Sequence, residues 1–304
     1  MVNIDVTGFA GRVRDYLDSP EGFSQEAVVD TLNVIDPQSR WKERNGITFG
    51  HNTELVMYLL GRAFYLSQGN DKTGFSHRVA QAVQKFAEPF ADTDNLCYPH
   101  FLFHGLVQPN LDDVINKIEG NSRIIHETLD DRRRIISEHG SVKLDGGLQL
   151  VMSDGLTDDY FGIAYLLAKQ DERLIGSSTG YIAKASFFVD KTNGDVYVMT
   201  MQGRRFGSHD PVRAAHPSGK EKRLEAEREY SKIGNVLGMG PRRFILEKVA
   251  DFGKDNGYKI IKVIKPEEHP MFIEEHKGFL ANYEPVIRKA GITEDNGCYL
   301  ERPL

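Results

Sequence analysis

The pattern of apolar residues changes at Gly140, and this change constrains the fold more than any other feature of the sequence. Before Gly140, apolar residues recur at every third or fourth position, as they do along one face of a helix. After it, they occur in short runs bounded by glycine, asparagine and aspartate, which is typical of strands. We therefore expect two domains, a helical domain at 1–140 and an α/β domain at 141–304.

The helical part contains three segments with clear periodicity, residues 53–68, 74–90 and 110–139. Asn110 is a favourable N-cap for the third segment, and acidic residues follow it in the expected first turn. Because Gly120-Asn121 lies in the middle of that segment, the sequence leaves open whether it forms one long helix or a broken pair.

Four strand-forming segments follow, at 142–152, 160–169, 181–190 and 195–202. Asn193-Gly194 joins the last two and is a strong hairpin signal, because both residue types tolerate positive φ. A helix is predicted at 241–256 and a further strand at 258–264, so the sheet should be mixed. The expected fold class is α+β or α/β: a helical N-terminal part, then a mixed, mainly antiparallel sheet flanked by helices.

The net charge of −6 argues against a uniform basic field for nucleic acid, but the charge is unevenly distributed. Residues 1–140 carry all of the excess acid, whereas residues 204–262 contain 14 lysines and arginines against 8 acidic residues. A phosphate-bearing ligand is therefore compatible with the second half of the chain.

Targeting signals and a disulfide framework are not evident in the sequence. The N-terminus has no basic and apolar leader pattern, no apolar run is long enough for a membrane span, and there are two cysteines. These features predict a cytoplasmic protein without a membrane span.

A glycine-rich segment before the predicted helix at 241–256 is the main candidate for a binding site. Gly238 and Gly240 permit tight turns and leave backbone N–H groups accessible, and Pro241 suits the first helical position. Such a helix start attracts anions, and Arg242 and Arg243 add formal charge. The alternative is that the glycine pair only lets the chain turn into the helix.

The order of strand, glycine loop, helix and strand resembles the GNAT N-acyltransferase superfamily, whose coenzyme A loop reads Arg/Gln-x-x-Gly-x-Gly/Ala. Asn235-x-x-Gly238-x-Gly240 matches this pattern except that asparagine replaces the first residue. Residues 279–283 loosely match the segment that carries the superfamily's tyrosine. The resemblance implies that Asn235, Gly238, Gly240, Arg242 and Arg243 bind the donor. It also implies that Tyr283 protonates the departing thiolate.

Residues 140–304 also resemble the VirK/YbjX family, which is associated with bacterial virulence and envelope stress. The residues that carry this resemblance are a strand ending at Gly203, the Gly238-to-Arg242 segment, His269 and the segment around Tyr283. The biochemistry of this family is uncharacterised, so the resemblance implies a bacterial protein rather than a specific reaction.

Histidines supply the remaining candidate chemistry. His269 follows a predicted strand, so it should lie near the ligand-binding edge of the sheet, where it is a candidate general base. His100 and His104 have a spacing that can bind zinc, but no HExxH motif or cysteine cluster accompanies them, so we predict no metal site.

Together these observations predict a GNAT-like acyltransferase, which would use acyl-CoA or acyl-carrier protein as donor substrate and an amine or hydroxyl acceptor. No permanently bound cofactor is expected. Two alternatives stay open. One is a non-catalytic, virulence-associated binding or regulatory protein of GNAT shape, and the other is an aminoacyl-tRNA-dependent transferase, for which tRNA would be the partner.

Overall fold

The computed structural model describes residue 101 and residues 111–154, 162–170, 181–203, 228–265 and 277–304. Within these ranges, the side chains of residues 111, 114 and 277–282 are not described. The chain divides into two compact units, Met1–His126 and Glu127–Leu304. The predicted helices at 53–68 and 74–90, together with His100 and His104, lie outside the described residues.

The helix α1, Leu111–His139, is continuous through Gly120 and Asn121. Two aspartates in its first turn and a histidine in its last turn complement the helix dipole. A single glycine weakens a helix by about 1 kcal/mol, which packing readily offsets. The open question of a broken pair is thus answered in favour of one helix.

Eight strands form one sheet within the described residues. They are β1 (Ser141–Leu144), β2 (Leu148–Asp154), β3 (Ile163–Lys169), β4 (Tyr181–Asp190), β5 (Asp195–Gly203), β6 (Ile260–Ile264), β7 (Glu294–Asn296) and β8 (Tyr299–Pro303). Their order across the sheet is β1-β2-β3-β4-β5-β6-β8-β7. Strands β5 and β6 pair in parallel, and the other neighbouring strands pair antiparallel. The predicted α+β class with a mixed, mainly antiparallel sheet agrees with this architecture.

Three further helices belong to the second unit. The described part of α2 covers residues 228–237, α3 covers Pro241–Asp255 and α4 covers Lys277–Lys289. Helix α3 connects the parallel strands β5 and β6 and packs on the sheet through Phe252, whose ring centroid lies 5.2 Å from that of Phe187 on β4. Helix α4 contacts α3.

The hairpin between β4 and β5 has a four-residue turn in which Gly194 has a φ of 77°. Asp190 stabilises this turn by accepting hydrogen bonds from both the backbone and side-chain nitrogens of Asn193. Glu127 of α1 accepts hydrogen bonds from the Lys191 backbone N–H and the Thr192 hydroxyl. The second unit therefore fixes the turn from two sides.

Candidate functional site

The parallel strands β5 and β6 separate part of the way along β5. Their pairing runs from Asp195 opposite Ile260 to Val198 opposite Val263. Beyond Val198, β5 continues to Gly203 and pairs with β4 alone among the described strands, while Ile264 of β6 pairs with β8. In open sheets, ligands bind where the carboxyl ends of neighbouring strands diverge. This divergence is therefore the candidate site.

A β-bulge lies at the same point of β5. Phe187 on β4 is opposite Val198, but Ser186 is opposite Thr200, so Met199 has no residue across from it. An extra residue of this kind bends the strand and redirects its backbone groups. The bulge thus occurs where β5 loses its neighbour β6.

The glycine segment connects α2 to α3. Asn235 lies in the last turn of α2 and is exposed, and its carbonyl accepts a hydrogen bond of 3.4 Å from the Gly238 N–H. Gly238 has a φ of 70°, a conformation that favours glycine. Gly240 is the N-cap of α3 and Pro241 its first residue, so the helix start agrees with the sequence pattern.

Tyr230 of α2 accepts a hydrogen bond from one of the backbone N–H groups at this helix start. The backbone N–H of Arg242 donates a hydrogen bond to the Tyr230 phenol oxygen. Burial raises the pKa of Tyr230 and outweighs the opposite effect of Arg242, so the phenol is neutral at physiological pH. The N-terminus of α3 therefore has fewer accessible N–H groups than the sequence predicted.

The two arginines of this segment have different surroundings. The Arg242 guanidinium lies against Gly203 at the end of β5, and its Nε is buried without a hydrogen-bond partner among the described residues. The Arg243 Nε is likewise buried without a hydrogen-bond partner among the described residues, but it lies 3.6 Å from Glu247, which also binds Arg302 at 2.9 Å. Arg243 therefore shares one carboxylate with Arg302, whereas Arg242 makes no ion pair within the described part of the chain.

The structure describes Tyr283, the predicted acid, but not His269, the predicted base. Tyr283 lies on α4 and is 4% exposed. His269 lies outside the described residues. The structure brings Gly240, Arg242 and the end of β5 together, and it does not test the roles assigned to Tyr283 and His269.

Two buried hydroxyl groups beside the bulge were not identified from the sequence. Ser186 and Thr200 are 0% and 4% exposed, lie opposite each other on β4 and β5, and have no hydrogen-bond partner among the described residues. The sequence signal was weak, because one serine and one threonine in apolar runs are ordinary. Only the strand register reveals that they are neighbours.

A separate open cleft of about 460 Å³ lies between the β1–β2 turn and α2. Gly146, Leu148, Ile233 and Val236 line it, together with the ion pair between Lys169 and Glu229. Lys232 also lines the cleft and forms no ion pair within the residues that the structure describes, so the cleft carries one cation besides the Lys169–Glu229 pair.

The described ranges contain no group of three or more His, Cys, Asp or Glu side chains arranged to hold a metal ion. No helix in the part of the chain that the structure describes is long and apolar enough to cross a membrane. Comparisons with family models, curated proteins and solved structures return no match to this chain.

Proposed function

We propose that the protein is a GNAT-like acyltransferase that moves an acyl group from a coenzyme A or acyl-carrier-protein thioester to an amine or hydroxyl acceptor. The observation that carries the proposal is the divergence of β5 from β6 after Val198. A helix start lies at the carboxyl end of β5, together with an arginine that has no ion pair among the described residues. The helix start and the guanidinium supply positive charge for the phosphates of a thioester donor.

The donor's phosphates bind at the start of α3. Arg242 supplies the charge, and the absence of side chains at Gly238 and Gly240 lets an anion approach the backbone closely. Arg243 contributes less because Glu247, 3.6 Å away, partly neutralises its charge. The proposal therefore ranks Arg242 above Arg243.

The thioester carbonyl lies along β5 between Val198 and Met201, where the edge facing β6 has no paired strand among the described residues. Backbone N–H groups there stabilise the negative charge that develops on the carbonyl oxygen. The acceptor attacks the carbonyl carbon, the new C–N or C–O bond forms, and the C–S bond breaks. His269 takes the acceptor's proton, and Tyr283 donates a proton to the thiolate.

Calorimetric titration with coenzyme A tests this proposal. We expect Arg242→Ala to weaken binding by about tenfold or more, as expected for the loss of a charge-assisted contact of 1.5–3 kcal/mol. Arg288→Ala is the matched control, because Arg288 is exposed on α4 and pairs with Glu284. Equal affinities for the wild type and Arg242→Ala would contradict the assignment of the phosphate site.

A further inference from the structure

We infer that Ser186 and Thr200 form a specificity site for a donor whose acyl group carries a hydroxyl group next to the carbonyl, rather than a plain alkyl acyl group. This inference rests on the proposed function and adds the class of acyl group. It is carried by two buried hydroxyls that have no hydrogen-bond partner among the described residues and lie beside the bulge at Met199.

The positions of these hydroxyls follow from the strand register. Thr200 directly follows the bulge residue, and Ser186 faces it across β4 and β5. Directly opposite residues have Cβ atoms about 4.5–5.5 Å apart, so a single small group can contact both side chains. Phe187, next to Ser186, packs on Phe252 of α3, so the hydroxyls lie on the opposite face of the sheet.

The energetics argue for a ligand-binding role of this pair. A buried hydroxyl without a partner costs about 1–3 kcal/mol relative to one that is hydrogen-bonded. Valine at position 200 or alanine at 186 would avoid this cost without changing the size of the side chain greatly. Buried polar groups that are costly to the fold are typical of sites built to bind a polar partner.

The chemistry of the surroundings favours a hydroxyl substituent over an amino group. Ala164 lies opposite Ser186 on β3 and is also fully buried, and its small side chain fills little of the space beside the Ser186 hydroxyl. Lys184, two residues before Ser186 on the same strand, is on the same face and is 2% exposed. Burying a cationic substituent beside these side chains is unfavourable, whereas a neutral hydroxyl can both donate to and accept from Ser186 and Thr200.

The position along β5 explains why the substituent is next to the carbonyl. Our proposal places the thioester carbonyl against the backbone between Val198 and Met201. The Thr200 side chain begins within that stretch, so it is within reach of the first carbon beyond the carbonyl. A hydroxyl on that carbon would satisfy both protein hydroxyls at once.

The test compares the binding of hydroxyacetyl-CoA and acetyl-CoA by calorimetry. We expect the wild type to bind hydroxyacetyl-CoA about tenfold more tightly, because two neutral hydrogen bonds of 0.5–1.5 kcal/mol are gained. In the double variant Ser186→Ala/Thr200→Val the two affinities should become equal through loss of the hydroxyacetyl-CoA preference. Equal binding of both thioesters by the wild type overturns the inference and leaves the proposed function intact. Binding of neither overturns both.

Thermal unfolding of the ligand-free protein gives a second readout that does not depend on the choice of thioester. Thr200→Val should raise the melting temperature by about 2–4 °C, because an unpaired buried hydroxyl is removed. Thr128→Val is the matched control: Thr128 is equally buried, but its hydroxyl accepts a hydrogen bond of 3.0 Å from the Val189 N–H. That variant should melt lower than the wild type. A similar decrease for Thr200→Val would show that its hydroxyl is structural, and would overturn the inference.

Discussion

Gly203 forms the surface against which the Arg242 guanidinium lies. A Cβ atom at Gly203 would lie 2.7 Å from Arg242 Nε and 3.0 Å from a terminal guanidinium nitrogen. The last residue of β5 and the second residue of α3 are thereby coupled, although 38 positions separate them along the chain. The absence of a side chain at position 203 therefore sets the position of the Arg242 guanidinium.

This coupling predicts the effect of Gly203→Ala. The methyl group displaces the end of a flexible arginine rather than the backbone, so the free energy of unfolding should change by less than about 1 kcal/mol. The affinity for coenzyme A should fall, because Arg242 is moved from its position. Chemical denaturation and calorimetry measure the two effects separately. Unchanged affinity would indicate that Arg242 does not bind the donor.

The buried ion pair between Asp195 and Lys262 joins the parallel strands β5 and β6, and its loss should lower the free energy of unfolding. Lys262 Nζ lies 2.6 Å from Asp195 Oδ2, and their side chains are only 15% and 5% exposed. Lys262→Met leaves the buried carboxylate with only the 3.4 Å hydrogen bond from the Tyr197 hydroxyl, and it should destabilise the protein by about 3 kcal/mol. The double variant Asp195→Val/Lys262→Met should recover most of that loss.

Lys248 provides the matched control for this ion pair. Lys248 and Asp251 are also 2.6 Å apart, but their side chains are 35% and 57% exposed. Lys248→Met should change the free energy of unfolding by less than about 1 kcal/mol, because water solvates exposed charges. Urea denaturation of both variants compares the pairs directly. Equal losses would show that burial does not decide the strength of these pairs.

Gly253 and Leu304 lie so close together that a substitution at one should be offset by a substitution at the other. A Cβ at Gly253 of α3 would lie 2.5 Å from Leu304 Cδ1 and 3.2 Å from Val196 Cγ2. Gly253→Ala should therefore cost about 1–3 kcal/mol through overpacking. Adding Leu304→Ala should relieve part of that cost, which a double-mutant cycle of unfolding free energies measures. Additive losses would contradict the contact.

Asp131 predicts a decrease in stability at acid pH. Burial opposes ionisation of this carboxyl, but hydrogen bonds and charge from Lys191 and Arg134 outweigh it, so the pKa of Asp131 is lowered below 3.8. A lowered pKa contributes stability that is present above about pH 4 and is lost as the pH falls through the folded-state pKa. Asp131→Asn should remove this contribution and flatten the stability profile below pH 4. If the free energy of unfolding decreased equally with falling pH in the wild type and in Asp131→Asn, the lowered pKa of Asp131 would not contribute to stability.

Replacing Gly120 with alanine should increase the stability of the protein. Nothing lies within 4 Å of a Cβ placed on this residue in the middle of α1. Gly120→Ala should therefore raise the free energy of unfolding by about 0.5–1 kcal/mol through helix propensity alone. Thermal unfolding checks this. A decrease would indicate that the helix is not continuous at this position.

Local patterns predicted most of the described elements within a few residues. The strands at 181–190 and 195–203 and the helix starting at Pro241 follow the sequence prediction closely, because each depends on neighbouring residues and turn chemistry. Asn235 is the exception among the site residues. It was expected in a glycine loop, but α2 continues through Gly234 to residue 237.

Contacts between distant segments could not be predicted in the same way. Tyr230 binds the Arg242 N–H across the turn between α2 and α3. A phenol carries no sequence signal for such a cap, because it is selected by the geometry of two packed helices. Its effect is to reduce the number of free donors at the predicted anion site.

The sequence by itself determined the helix-to-strand change near Gly140, the hairpin at Gly194 and the helix start after Gly240, since these depend on side-chain periodicity and on local φ preferences. The tertiary structure decided which residues meet at the site. The bulge at Met199 sets Ser186 opposite Thr200, and the end of β5 receives Arg242. Strand register and helix packing are non-local, because one extra residue in β5 changes which side chains face each other without changing any local preference.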